Sequence, residues 1–493
     1  MKKTLPEIIV SGSNNSQSKR ISHLLKNGSI RKLVQKVYTS NFSDDDATII
    51  IRNKWEILGH LFSGATLSHR SALEWSETSS GHIFLTYKYN RIVTFPGLTV
   101  HLLSGPEATD HDQCLPTGIC ISSQPRAFLE NLQPSKERQG VKKTLERSEV
   151  ENYLDQICRV KGEDALNELR DEASIQAAEL DMEEQFAILT SMISAILSTR
   201  PADDLQSPVT KARSKGQPYD PLRVELFGIL FTELGRSILP EVISTQSTDQ
   251  ESQLFAFFDA YFSNYIEGTI FELDEAREIV FSNHEPYQRP GDAHDIRGTY
   301  WIVSNPDEMI LKSPDYDSYE RLLKARHLAI MGMRPDKSPG QFKMKPNQAG
   351  STHFVTPELV KGTLIKGWEM HSGLPNAIAK AIFQMFLVSE IHPFDDGNGR
   401  IARIMMNAEL EKAGHQKILI PTVYRENYLL ALRALSRNKN PRPLIECLMK
   451  AQLFSSQIKY NNWDQTVTDL TKCNAFKEPD EDRLRLPSEV FDN

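Results

Sequence analysis

The chain has 493 residues, 39% of them hydrophobic and 25% charged, with a formal net charge of −8. That length exceeds one ordinary core and implies two to four domains, and the composition is that of a soluble globular protein. The negative balance excludes a protein that coats nucleic acid with its whole surface, while leaving room for a local basic patch.

Residues 1 to 40 carry Lys2, Lys3, Lys19, Arg20, Lys26, Arg31, Lys32 and Lys36 against Glu7 alone. The apolar run in "MKKTLPEIIVSGSNN" is too short for a signal-peptide core, and no later run reaches spanning length. A cytoplasmic protein without a membrane association is expected. "SKRISHLLKNGSIRKLVQKVYTS" predicts a short helix, an Asn-Gly turn and a strand, and "TIIIRNKWEILGHLF" a helix. "HIFLTYKYNRIVTFPGLTVHLL" alternates β-branched and aromatic residues between turn residues, which predicts short strands. "QPRAFLENLQPSKERQG" closes a domain over 1–135. Residues 136–214 read as a helical region and linker, with "STRPADDLQSPVTKARSKGQPYDP" an exposed loop. From 215 to 455 the pattern is mainly helical, interrupted by the hairpin-like "PGQFKMKPNQAGSTHFVTPE". The tail 456–493 is expected to be loosely ordered.

The five cysteines, Cys114, Cys120, Cys158, Cys447 and Cys473, are scattered and odd in number. That fits reduced thiols better than a disulfide framework. The pair in "CLPTGIC", with His101 and His111 nearby, matches no common zinc spacing, and idle thiols are expected.

The densest chemistry lies in "IHPFDDGNGRIARIMMN", residues 391 to 407. The helix before it, "LPNAIAKAIFQMFLVSEI", is apolar nearly all round, as a central buried helix should be, and has Pro375 near its first turn. It delivers His392 at its C-terminal end. Gly397 and Gly399 allow a tight turn, and the helix expected from about Gly399 or Arg400 offers free N–H groups to an anion. Arg400 and Arg403 are three residues apart and share a side of that helix. Asp396 suits a hard cation such as Mg²⁺. Amides, two guanidiniums and one carboxylate make a polyphosphate seat, with His392 beside it as a base. Taken singly, each residue fits a surface turn and a basic helix start.

Taken together, His392, Pro393, Phe394, Asp396, Gly397, Asn398, Gly399, Arg400 and Arg403 resemble the signature of the Fic (filamentation induced by cAMP) family. A chance match is on the order of 10⁻¹⁰ per starting position. The resemblance covers roughly residues 215 to 450. It implies a mainly α protein with an all-helical core and a β-hairpin flap, and an enzyme transferring AMP from ATP to a protein Ser, Thr or Tyr hydroxyl. In that scheme His392 is the base and Asp396 holds Mg²⁺. Gly397, Asn398, Gly399 and Arg400 cradle phosphates, and Arg403 reaches the γ-phosphate. "GQFKMKPNQAGSTHF" stands where the family has the flap that docks the target backbone, around 340–355. "VYRENYLLALRAL" resembles the segment near the adenine, with Tyr424, Asn427 and above all Tyr428 as candidates.

Upstream, "SNYIEG" closes a strongly amphipathic helix and fits the family's inhibitory pattern through Ser263, Glu267 and Gly268. Pairing of Glu267 with Arg403 would deny that guanidinium to the γ-phosphate and misplace ATP. Some relatives also use this Glu to remove AMP, so the reverse reaction stays open. Through "KNGSIRKLVQKVYTS", "LSHRSALEW", "FPGLTVHLL" and "QPRAFLENL", residues 20 to 135 resemble antitoxin-type regulators of abortive-infection toxin–antitoxin systems, which implies a small α+β winged-helix-like domain. DNA or a protein could be its partner, and a homodimer is open. The competing readings are a DNA-binding toxin–antitoxin-type regulator carrying a Fic module, and a Fic enzyme that uses UTP or CDP-choline.

Overall fold

The computed structural model describes residues 5–11, 15–199, 203, 205–246, 248–282 and 284–491. Lys2 and Lys3 of the basic arm lie outside them, as do 200–202 and 204 of the Pro-rich loop. The chain divides into two compact units, Met1–Gly216 and Gln217–Asn493.

The first unit is α+β. Strands β1 (Ile8–Val10), β2 (Arg31–Val34) and β3 (Val37–Thr39) form an antiparallel sheet in the order β1-β3-β2, with the Asn15–Lys26 helix between β1 and β2. A second sheet holds β4 (Thr66–Leu67), β5 (His82–Tyr87), β6 (Arg91–Phe95), β7 (Leu98–Ser104), β8 (Gln113–Cys114) and β9 (Cys120–Ile121). Its order is β6-β7-β5-β4-β9-β8, and β5 runs parallel to β7 from His82↔Thr99 to Tyr87↔Ser104. Ile83, Leu85, Val100 and Leu102 of the central strands pack against Ile49, Ile50, Ile57 and Leu58 from the Asp46–Arg52 and Lys54–Leu61 helices.

Two expectations change here. Residues 136–199 do not separate domains, because Leu145, Val150, Leu154 and Ile157 bury against Phe128 and Leu129 and extend the first unit's core. The backbone N–H of Leu145 also donates to Asn131 Oδ1 at 2.9 Å. The thiols are not all reduced: Cys114 and Cys120, brought opposite each other on β8 and β9, form a disulfide, while Cys158, Cys447 and Cys473 are free and buried. A paired Cys114 and Cys120 cannot offer thiolates to zinc, and among the described residues no metal-binding cluster of His, Cys, Asp or Glu occurs.

The second unit is helical around the Ala377–Ile391 helix, buried along nearly its whole length. Asn376 caps it by accepting from Ala379 N, so Pro375 stands just outside the first turn. The Asn398–Lys412 helix packs directly against it and begins one residue earlier than expected. The Asp249–Ile266 helix starts with a capping box, Thr248 to Glu251, and crosses the same core. The flap is a short exposed antiparallel hairpin of β10 (Gln348–Ala349) and β11 (Thr352–His353). The tail is not loose: its Trp463–Lys472 helix buries Leu470, and Cys473 and Ala475 join the core. Among the described residues no helix is long and apolar enough to cross a membrane.

Candidate active site

The Ala377–Ile391 helix ends at His392, whose φ of 54° turns the chain out of the helix. Its imidazole Nδ1 lies 3.2 Å from the Ser389 carbonyl, which can only accept, so Nδ1 carries the proton and Nε2 the lone pair. The ring stacks on Phe354 at the end of the flap, with centroids 3.8 Å apart and planes 5° apart. Burial, then the Lys343 charge, push the His392 pKa down to about 4, against the pull of the Ser389 hydrogen bond. The imidazole is therefore neutral at pH 7 and able to accept a proton.

After His392 the chain folds into a turn that its own side chains lock. The Asn398 amide accepts from Phe394 N at 2.8 Å and donates to Phe394 O at 2.9 Å. Both of its polar ends are thus spent on the turn, where the sequence suggested a phosphate ligand. Gly397, at φ 74°, donates its N–H to Asp396 Oδ1 at 2.7 Å. The Asp396 side chain is 43% exposed at the start of the Asn398–Lys412 helix. One exposed hard carboxylate fits a Mg²⁺ site that draws its other ligands from phosphate and water.

The two arginines separate. Arg400 Nη1 lies 2.6 Å from Asp295 Oδ2 and 3.3 Å from Asn264 Oδ1 in a buried ion pair, and its Nη2 lies 3.9 Å from Asp396 Oδ1. Asp295 is shared with Arg334, whose Nε donates to the same oxygen at 2.8 Å, so Arg400 is only partly neutralised there. Arg403 takes the other course. Its Nη2 donates to Glu267 Oε1 and to the Ser263 carbonyl, both at 2.8 Å, and its Nε donates to Ser263 Oγ at 2.9 Å. Glu267 caps the Asp249–Ile266 helix, and Gly268 leaves it at φ 88°. Burial pushes the Glu267 pKa up, but the charge and hydrogen bond of Arg403 outweigh it and hold the carboxyl below its ordinary value. A Cβ on Gly399 would overlap the Glu267 carboxylate, so the glutamate sits against the first turn of the Asn398–Lys412 helix. It stands beside the helix end where an anion would approach.

A pocket of about 710 Å³ is walled by His392, Gly399, Arg403, Glu267, Tyr428 and flap residues, while Asp396, Gly397, Asn398 and Arg400 are not among its walls. Tyr428 is buried with its hydroxyl 3.4 Å from Met385 Sδ. Tyr424 and Asn427 do not reach this pocket: Tyr424 is buried in the core, and Asn427 is exposed.

The model of the Fic/DOC family matches residues 316–410, the stretch that ends within the helix carrying Arg403. The chain carries a Fic domain. Similarity to individual relatives extends over a longer stretch: a "Protein adenylyltransferase Fic" of Drosophila melanogaster is 35% identical over 217 residues, 43% of this chain and 43% of that protein. A "Probable protein adenylyltransferase" of Aquifex aeolicus is 29% identical over 28% of this chain and 41% of its own length. The chain thus spans less than half the length of the relatives it matches. Among solved structures, a Fic domain protein of Bacteroides thetaiotaomicron covers 48% of this chain and 96% of its own, at 17% identity and TM-score 0.36. Fic-1 of C. elegans covers 60% and 95%, at 18% identity and TM-score 0.35.

Several residues that hold the Fic domain's site together carry no signal in the sequence. His327 stacks on Phe394 at 3.8 Å, with Nε2 3.0 Å from the Asp396 carbonyl and Nδ1 accepting from Gly340 N. Lys343 is buried, donates to Asn347 Oδ1 at 2.6 Å, and its backbone N–H bonds Pro393 O. Asn347 in turn donates to Phe394 O at 2.9 Å. The base of the flap is thereby tied to the turn after His392. Only the polar residues flanking the hairpin hinted at this, and nothing local marked His327 or Asp295.

Proposed function

We propose that the chain is a Fic-type protein adenylyltransferase, using ATP as donor and held at rest by Glu267. The observation that carries this reading is the Arg403–Glu267 contact at 2.8 Å, made by a guanidinium that Ser263 already grips twice. With that contact in place, the γ-phosphate of ATP has neither Arg403 nor the helix end beside Gly399. When Glu267 moves out, Arg403 and the backbone amides of the turn receive the polyphosphate, and the adenine lies along Tyr428. A target Ser, Thr or Tyr hydroxyl, held by backbone pairing to the flap, loses its proton to His392 Nε2. Its oxygen attacks the α-phosphorus, the bond from that phosphorus to the bridging oxygen breaks, and pyrophosphate leaves. Asp396 would hold Mg²⁺, which when bound supplies positive charge against the phosphate oxygens.

The test compares ATP labelled at the α- and γ-phosphates with the wild-type chain, Glu267→Gly and His392→Ala. Glu267→Gly is expected to raise α-label on protein at least tenfold over wild type, and His392→Ala on that background to abolish it. Label from the γ-phosphate would defeat the AMP-transfer reading. A folded Glu267→Gly variant as inert as wild type would defeat the inhibitory one.

A further inference from the structure

A second cavity, of about 800 Å³, opens in the first unit between β6, β7 and residues 134–143. Arg91, Lys136, Arg138 and Lys143 line it, and no Asp or Glu does. Among the described residues none of these four cations forms an ion pair, whereas the neighbouring Lys142 pairs with Glu146 at 2.7 Å. Lys143 donates to the neutral Gln133 Oε1, at 2.8 Å. Burial lowers its pKa against the pull of the Glu130 charge, so its amine has already given up part of its water. Four like charges around one recess repel one another, and an anion entering it relieves that repulsion.

The remaining wall mixes apolar side chains with Asn90, His101, Ser104 and Ser135. Ile92 is 39% exposed on the edge strand β6, and Leu103 and Val141 stand half-buried beside it. The Arg138↔Val141 bridge closes the turn that carries Arg138. The Ser135 hydroxyl in the same wall finds no hydrogen-bond partner in the protein. The volume falls in the range of about 300–1,000 Å³ usual for small-molecule sites. A compact recess lined by cations together with apolar side chains suits a small organic phosphate, not an extended strand.

We propose that this cavity binds a small phosphorylated ligand of nucleotide size, its phosphates on Lys136, Arg138 and Lys143 and its apolar part on Ile92 and Val141. The site is separate from the pocket beside His392, and its existence does not depend on the reaction proposed there.

ADP is a suitable probe, read by acetylation of lysines in the intact chain with mass spectrometric mapping. Millimolar ADP is expected to slow acetylation of Lys136 and Lys143 at least threefold while leaving Lys142 unchanged. Adenosine, lacking phosphate, is expected to protect neither. The protection should persist in Arg403→Ala, which alters the other pocket, and vanish at Lys143 in Lys136→Glu/Arg138→Glu, a change of two exposed side chains. Equal acetylation with and without ADP would overturn the proposal. So would equal protection by adenosine, protection by a single-stranded oligonucleotide alone, or loss of protection in Arg403→Ala.

Discussion

His392 owes its chemistry to two neighbours, the Ser389 carbonyl one helical turn back and the Phe354 ring far away in the sequence. The first fixes the tautomer, and the second helps keep water from the imidazole, whose pKa burial pushes down to about 4. Under the proposed function, the neutral His392 of the Glu267→Gly variant should therefore survive at pH 5. Phe354→Ala opens the ring to water and lets its pKa return towards the ordinary value of about 6.5. The acidic limb of the rate profile is expected to move up by at least one pH unit in that variant, read as initial rates of α-label transfer between pH 4.5 and 8. Superimposable profiles would remove Phe354 from this role.

Among the elements, the Pro357–Ser372 helix is held close by its glycines. A Cβ on Gly362 would run into the backbone carbonyls of Gln217 and Pro218, which cannot swing aside as a side chain can. Gly362→Ala is expected to cost about 1–3 kcal/mol by overpacking and to lower the melting temperature by several degrees. Gly235, in the Pro221–Arg236 helix, has nothing within 4 Å of the same added carbon. Gly235→Ala should instead leave the melt unchanged or raise it, by up to about 1 kcal/mol of helix propensity. Thermal unfolding followed by circular dichroism separates the two, and equal shifts would contradict the packing argument. The flap shows the same dependence on tertiary contacts, since its strands are exposed and its base is tied by Lys343 and Asn347 to Pro393 and Phe394.

Across the whole molecule, buried histidines couple stability to pH in both units. His69 and His101 in the first, and His327, His371 and His392 in the second, are all pushed down to about 4, chiefly by burial. A group with a lowered folded pKa is protonated more readily in the unfolded chain. The stability of the fold is therefore full above about pH 6.5 and is lost as pH falls towards 4, with a slope of up to about 1.4 kcal/mol per unit for each histidine. Asp259 works against them: burial raises its pKa to about 6, so the fold binds that proton and gains as pH falls through 6. Five groups outweigh one. Urea midpoints of both units are expected to drop between pH 7 and 5, and a midpoint constant over that span would contradict the burial of these rings.

Some of this was legible in the chain and some was not. The spacing from His392 to Arg403 and the "SNYIEG" helix end are local patterns, and they announced the turn after His392 and the helix end that carries Glu267. The apolar run of the Ala377–Ile391 helix likewise announced its burial. Tertiary structure decided which polar groups remain free. Arg400 and Arg403 share a helix side, yet Asp295 claims the first and Glu267, 136 residues away, the second. Asn398 is spent on Phe394, and Cys114 finds Cys120 only because β8 and β9 pair. The tail is ordered because its apolar residues meet a core that no local window reveals. Periodicity and motif spacing report what one segment can offer. Whether a side chain's charge or hydrogen bond is already satisfied depends on residues that only folding brings beside it.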